Sequence, residues 1–333
     1  MSLRKAIIKT LIVFAMLILM LGIFSLLFGF FDTATAPHEI PGGSQITEIE
    51  QPSPPGDALS PVSPNSPHPP DTADVLPGVP DRVLIRMEPA DIHKGNLLLI
   101  NHDHRYELPD LSGFVLVADS KTPSYRTTSG DLILSESVIG PLNAMMDAYF
   151  SETGLDTVAV ISAFRDFDRQ QEILNEYISL VGRIEAHRWA ALPGHSEHHA
   201  GLAVDLGFYN GGTLRTFLGT GVYAWFSRNS FDYGFILRFP REKTDVTDTA
   251  YEPWHYRYVG LPHSYFMHEN DWCLEEYIEH MWERSSEDPY IGQYDGVSYE
   301  IYFTPDFDIF IPFDCEFDIS GNNIDGFIVT INH

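Results

Sequence analysis

Basic residues are scarce in this chain. Its 333 residues hold 20 Lys and Arg against 47 Asp and Glu, a formal net charge of −27. So acidic a chain lacks the basic face that phosphates require, which excludes nucleic acid as a partner. Cysteine is scarcer still: Cys273 and Cys315 are the only two. They permit at most one bridge, between a C-terminal helix and the terminal strands. A bridge and two buried free thiols are both open, because spacing alone cannot establish a pair. No H-E-x-x-H occurs anywhere, which excludes a zinc site of the thermolysin type on one helix.

What is present is unevenly distributed. Thr10 to Phe31 is a run of 22 residues without a charge. At about 1.5 Å per residue a helix of that length spans roughly 33 Å, enough for a bilayer core. Arg4, Lys5 and Lys9 precede it and Asp32 is the first charge after it, so the rest of the chain is expected outside. A cleaved signal peptide has a shorter apolar core, about 7–15 residues. Pro37 also follows Ala34-Thr35-Ala36 directly, and proline there is expected to block cleavage; an uncleaved anchor is the preferred reading. Residues 37–80 contain 12 of the 23 prolines, interleaved with Ser, Gly and Asp, and read as an extended linker without a core. The expected layout is a cytoplasmic tail over 1–9, an anchor over 10–31, a linker over 32–80, a folded domain over 81–285 and a β appendage over 286–333.

The densest chemistry lies in Pro193-Gly194-His195-Ser196-Glu197-His198-His199-Ala200-Gly201-Leu202-Ala203-Val204-Asp205. As a strand, Leu202, Val204, Leu206 and Phe208 face one way and Ala203, Asp205 and Gly207 the other. Asp205 thus stands on a face cleared of bulk, where a buried carboxylate needs a partner. Glu252-Pro253-Trp254-His255 supplies more donors. Two imidazoles and one carboxylate leave zinc a fourth, open position; His198, Asp205 and His255 would form that set. Glu252 would be left over to take a proton from the bound water. Residues three apart face opposite ways in a flat strand, but Pro253 bars a regular ladder bond, and a bend there brings Glu252 and His255 to one site.

The pattern S-x-H-x-x-G-x-A-x-D, here Ser196 to Asp205, followed by E-P-W-H, Glu252 to His255, resembles the VanY-type D-alanyl-D-alanine carboxypeptidases. A third family element, S-x-[YF]-R with Gln five residues on, reads Ser162-Ala163-Phe164-Arg165 and Gln170; Phe164 replaces the commoner tyrosine. The resemblance spans about residues 91 to 285. It implies a peptide hydrolase with one Zn2+ per chain, acting on the D-Ala-D-Ala end of a peptidoglycan stem peptide. It implies that Arg165 stabilises the oxyanion, a role suited to its fixed cationic fork. Gln170 and Ser196 would hydrogen-bond the substrate's terminal carboxylate or last amide. The related D,D-dipeptidases and L,D-carboxypeptidases share the metal set, and a wall-binding module without catalysis is a further alternative. A serine D,D-peptidase is excluded: the only S-x-x-K is Ser2 to Lys5, and there is no K-T-G.

The expected fold is α+β: a small mixed or antiparallel sheet with flanking helices carrying a mononuclear zinc site, with the N-terminal transmembrane helix and the C-terminal β appendage. Strands are expected at Val83–Ile85, Leu97–Ile100, Thr157–Ser162 and Phe235–Arg238. Helices are expected at Ile139–Phe150, after a cap at Asp166 or Asp168, over most of Leu214–Asn229, and at Trp272–Trp282. Residues 241–250 read as a rim loop. Ser298–Phe303, Asp308–Phe313 and Gly326–Ile331 read as the terminal strands, with a turn at Ser320–Asn323. His195 and His199 read as loop or rim residues, and His102-Asp103-His104 as a turn after a strand. Trp254, Tyr256 and Tyr258 read as core packing, with Trp254 bordering the site.

Overall fold

The computed structural model describes residues 82–107 and 109–333. The expected anchor and linker lie outside the described residues. Among those described, no helix is long and apolar enough to cross a membrane.

Fourteen strands are seen in chain order among the described residues: β1 (Arg82–Arg86), β2 (Phe114–Leu116), β3 (Arg126–Thr127), β4 (Ile133–Ser135), β5 (Val158–Ser162), β6 (Ala203–Asn210), β7 (Thr213–Thr216), β8 (Phe235–Leu237), β9 (His255–Tyr258), β10 (Tyr290–Tyr294), β11 (Val297–Thr304), β12 (Asp308–Pro312), β13 (Glu316–Gly321) and β14 (Phe327–Asn332). The longer helices are α1 (Glu136–Thr153), α2 (Phe167–Val181), α3 (His263–Glu269) and α4 (Leu274–Trp282). The fold is mixed α+β.

The sheet that carries the site has the order β3-β5-β6-β9-β8, with β7 also paired to β6. Only β3 and β5 run parallel. The alternation in β6 sorts as the sequence requires. Val204 and Leu206 join one apolar core, with Phe208 packed against it, and α1 lays Val138, Leu142, Met145, Met146 and Tyr149 into the same core. The opposite face is left to Ala203, Asp205 and Gly207. Gly207 is needed there, since a Cβ would stand 2.7 Å from the Ile161 side chain. Across three neighbouring strands Ser162 pairs with Asp205 and Asp205 with His255, so one row of the ladder presents all three.

The C-terminal residues form a β10-β11-β14-β13 antiparallel sheet, and β1 pairs with β12. Val83–Ile85 is therefore a strand, but its partner is a C-terminal one. Ile301 and Ile328 of this sheet share a core with Leu97, Leu99, Phe266, Tyr277, Ile278 and Met281. Such shared burial ties the terminal strands to the residues behind the site.

Four expectations change. Residues 241–250, expected as a rim loop, hold two short helical turns, Arg241–Lys243 and Thr244–Thr247. Leu97–Ile100 is buried but forms no strand. Its backbone groups bond to side chains and a loop instead: Leu97 N–H to Ser320 Oγ, Leu98 C=O to Arg257, Leu99 C=O to Asn323, and Leu99 N–H to the Asn322 carbonyl. Leu214–Asn229 is helical only in short pieces, Gly221–Tyr223 and Ala224–Asn229. Its start is β7, which folds back on β6 through Gly211 and Gly212, both at positive φ. The turn expected at Ser320–Asn323 begins two residues later: Ser320 and Gly321 end β13, a strand that acidic Glu316 and Asp318 disguise as loop, and Asn322 and Asn323 enter the turn to β14. The remaining helices and strands stand within a few residues of expectation, and Asp166 caps α2 by accepting from the Arg169 N–H. Cys273 and Cys315 are free thiols.

Candidate metal centre and active site

His198 lies on a single 3-10 turn, Glu197–Ala200, whose C-cap is Gly201 at φ 65°. A Cβ at Gly201 would fall 2.2 Å from the Phe114 ring, so only glycine reverses the chain here into β6. That reversal sets His198 against Asp205. One ligand atom from each of His198, Asp205 and His255 lies within 4.8 Å of the others, and all three residues are buried.

Hydrogen bonds fix which atoms point inward. His198 Nδ1 is 2.5 Å from the Ala163 carbonyl oxygen. A carbonyl only accepts, so Nδ1 carries the proton and Nε2 is bare. Burial, with Arg165 nearby, pushes this imidazole down to about 4, which keeps it neutral. Its Nε2 is buried without a hydrogen-bond partner, although a carboxylate oxygen of Asp205 stands 3.3 Å away. Two acceptors thus face each other inside the protein, an arrangement that a shared cation satisfies. Burial pushes the Asp205 carboxyl up, but the ion-paired Arg165 guanidinium helps to hold it well below the usual carboxylate range.

His255 completes the set from β9. Its Nδ1 is 3.0 Å from Asp205 Oδ1 and 3.9 Å from Glu252 Oε2. The bend at Pro253 does what its position implied: the His255 N–H bonds back to the Glu252 carbonyl at 3.2 Å, and the two side chains meet. Burial would lower the His255 imidazole, but Asp205 and Glu197 raise it to about 9. Burial pushes the Glu252 carboxyl up to about 8, with Asp205 adding to it against the pull of His255 and Arg165. Two nitrogens and a carboxylate oxygen, one lone pair otherwise orphaned, fit a tetrahedral zinc ion with one position open.

Arg165 reaches the same place from the end of β5. Its Nε donates to Ser162 Oγ at 2.8 Å, one terminal nitrogen donates to Gln170 Oε1 at 3.2 Å, and the other is ion-paired with Asp205. Gln170 is fully buried, and its amide nitrogen donates to the Ala191 carbonyl at 2.9 Å. Both ends of Gln170 are thereby engaged in holding Arg165 and the 191 loop. Ser196 is buried beside the metal set. A cavity of about 120 Å³ opens onto the site, lined among others by Gln170, Tyr177, Trp189, Ser196, Phe239 and Trp254.

The model of the VanY family, D-alanyl-D-alanine carboxypeptidase, matches residues 132–261. A D-alanyl-D-alanine carboxypeptidase of Enterococcus faecium is 32% identical over 246 residues, 72% of this chain and 76% of that one. This chain belongs to the VanY family. It is a carboxypeptidase, a peptide hydrolase. The putative carboxypeptidase YodJ of Bacillus subtilis is 41% identical over 140 residues, 41% of this chain and 50% of that one. The crystal structure of the vancomycin resistance D,D-dipeptidase VanXYg with a D-Ala-D-Ala phosphinate analogue is 32% identical. It superposes at a TM-score of 0.67, covering 76% of this chain and 99% of that one.

The structure adds residues that the family motifs did not single out. Glu197, the variable position of S-x-H, is buried between Arg238 and Arg257, neither of which is exposed at all. Arg257 faces the site side of β9 two residues after His255, and that register was the available signal. His199 is not a rim residue. It is fully buried, accepting the Gly194 N–H at Nε2 (3.0 Å) and facing the Arg165 carbonyl through Nδ1 (2.7 Å). It braces the loop and the arginine between which the motif runs. His195 is half-buried on the cavity wall, with Nδ1 2.8 Å from the Asn101 carbonyl. His104 Nδ1 bonds to Asn101 within its own turn, and His102-Asp103-His104 forms no metal cluster among the described residues. Tyr256 and Tyr258 are core residues, and Trp254 packs against that core at the cavity edge.

Proposed function

We propose that this protein is a zinc-dependent D-alanyl-D-alanine carboxypeptidase that removes the terminal D-Ala from peptidoglycan stem peptides. The observation that carries this reading is the bare His198 Nε2 facing Asp205 at 3.3 Å, with His255 and Glu252 beside them. One zinc ion per chain, held by His198, Asp205 and His255, would polarise the scissile carbonyl and supply a water of lowered pKa. Glu252, buried and 3.9 Å from His255, takes the proton of the attacking water and passes it to the leaving amine. Arg165, held by Ser162, Gln170 and Asp205, keeps further N–H groups on its terminal nitrogens for the oxyanion. Ser196 is available to the substrate's terminal carboxylate or last amide. Gln170 serves that contact through Arg165.

The reading includes a place in the cell. The uncharged run Thr10–Phe31, with Arg4, Lys5 and Lys9 before it, supports a single-pass anchor with the catalytic part outside. The proline-rich linker would hold residues 81–285 among wall polymers, and 286–333 would brace them.

The test is mass spectrometry of a muramyl pentapeptide incubated with the full chain and zinc. Release of one D-Ala, abolished by chelator, is expected. Cleavage of a tetrapeptide alone would move the assignment to L,D-carboxypeptidase, and cleavage of free D-Ala-D-Ala alone to D,D-dipeptidase. No cleavage of any of the three would overturn it.

A further inference from the structure

Glu197 sits next to His198 in sequence, lines the same cavity, and turns its carboxylate to two arginines and to His255. Its Oε1 accepts from Arg238 Nε at 2.6 Å and from Arg257 at 2.7 Å. Its Oε2 lies 3.3 Å from His255 Nε2. Each arginine is pinned from its far side. Both oxygens of Glu275 take Arg238, at 2.8 and 2.6 Å. The carbonyls of Asn96, Leu98 and Tyr258 take Arg257, each at 2.9 Å. None of these groups can swing, because neither arginine is exposed and Glu197 is itself buried.

We infer that Glu197 is a positioning residue for the metal centre: it holds the Nε2 proton of His255 so that Nδ1 turns its lone pair to the ion. The inference rests on the reading of His198, Asp205 and His255 as ligands. With a cation held between Nδ1 and Asp205, whose Oδ1 stands 3.0 Å from that nitrogen, the ring's one proton lies on Nε2. Glu197 Oε1 accepts from both guanidinium groups and its Oε2 faces His255 Nε2 at 3.3 Å, so the ring nitrogen is the donor of that contact. A histidine that donates one N–H to a carboxylate offers the other nitrogen as a more basic, oriented ligand. His198 reaches the same state by a different route, donating Nδ1–H to the Ala163 carbonyl and presenting Nε2. The two ligands thus present opposite ring nitrogens, and a neighbouring group fixes each choice.

A purely structural Glu197 would serve only as counter-ion to Arg238 and Arg257. Two measurements separate the roles. In the first, zinc affinity of the full chain is measured by competition with a chromophoric chelator, for wild type, Glu197→Gln and Glu275→Gln. Glu275 pairs with Arg238 but does not touch His255, so its variant controls for loss of the buried ion pairs. Glu197→Gln is expected to bind zinc about 10–100-fold more weakly, and Glu275→Gln to bind as wild type does. Equal affinity in Glu197→Gln and wild type, or an equal loss in both variants, overturns the inference. The second needs no variant to fold: long-range 1H–15N NMR of zinc-loaded wild type. A proton on His255 Nε2 with Nδ1 bare of hydrogen is expected, and a proton on Nδ1 overturns it. Wild type that takes up no zinc removes the ligand reading itself, a different result from either.

Discussion

The bare Nε2 of His198 and a carboxylate oxygen of Asp205 stand 3.3 Å apart with no hydrogen bond joining them. Two acceptors so close inside a protein repel unless a positive charge lies between them. Zinc binding is therefore expected to stabilise the fold by mass action, about 2.7 kcal/mol at a free concentration of 100 Kd. Thermal unfolding with and without zinc measures this. His198→Ala should lose both the bound metal and the stabilisation; retention of either would place the ion elsewhere.

Glu252→Gln keeps the shape of the side chain and removes the proton acceptor. The expected result is a fall in kcat of about 10²–10⁴-fold while bound zinc, measured by elemental analysis, is unchanged. A fall in KM-dependent terms alone would assign Glu252 to substrate binding.

Gly201→Ala tests how the motif is folded. At φ 65°, with a Cβ 2.2 Å from the Phe114 ring and 3.0 Å from the Ser135 nitrogen, alanine meets strain and overlap together. A loss of about 1–3 kcal/mol in unfolding free energy is expected, read from the urea midpoint. An unchanged midpoint would show that the reversal into β6 tolerates a side chain.

His263 gives the stability a pH dependence away from the metal. It is buried between two neutral hydroxyls, with Nδ1 2.7 Å from Tyr277 and Nε2 3.3 Å from Thr330. Burial pushes its imidazole down to about 3, from an ordinary 6.5. The unfolded chain binds the proton first. The contribution is thus complete above pH 6.5 and falls by about 1.4 kcal/mol for each pH unit below it. It is lost as pH drops through the folded value. Urea midpoints at pH 7, 6 and 5 should fall more steeply for wild type than for His263→Gln. Parallel slopes would clear His263 of the effect.

The cluster of His198, Asp205, His255 and Glu252 was legible because each is tied to a local pattern: strand alternation for Asp205, a proline bend for Glu252 and His255, a glycine reversal for His198. The cluster behind them was not. Arg238 and Arg257 lie 41 and 60 residues after Glu197, and an arginine in an alternating strand ordinarily marks the solvent face. Nothing local says that another layer covers that face. The same long-range cause hid the state of Leu97–Ile100, whose apolar sequence reads as a strand although its partners are Arg257, Ser320, Asn322 and Asn323, far along the chain. The Gly211-Gly212 hairpin was legible in principle, but the apolar spacing after it suggested helix.

Those partners have a consequence for what the molecule needs in order to work. Ser320 and Asn323 clamp residues 97 and 99 from β13 and the turn after it, and Arg257 clamps 96 and 98 from two residues beyond His255. A chain clipped before β13 holds every motif of a peptidase yet lacks half of the clamp on the segment that backs Arg257. A protease that removes β13 and β14 would therefore disarm the enzyme without touching its active site.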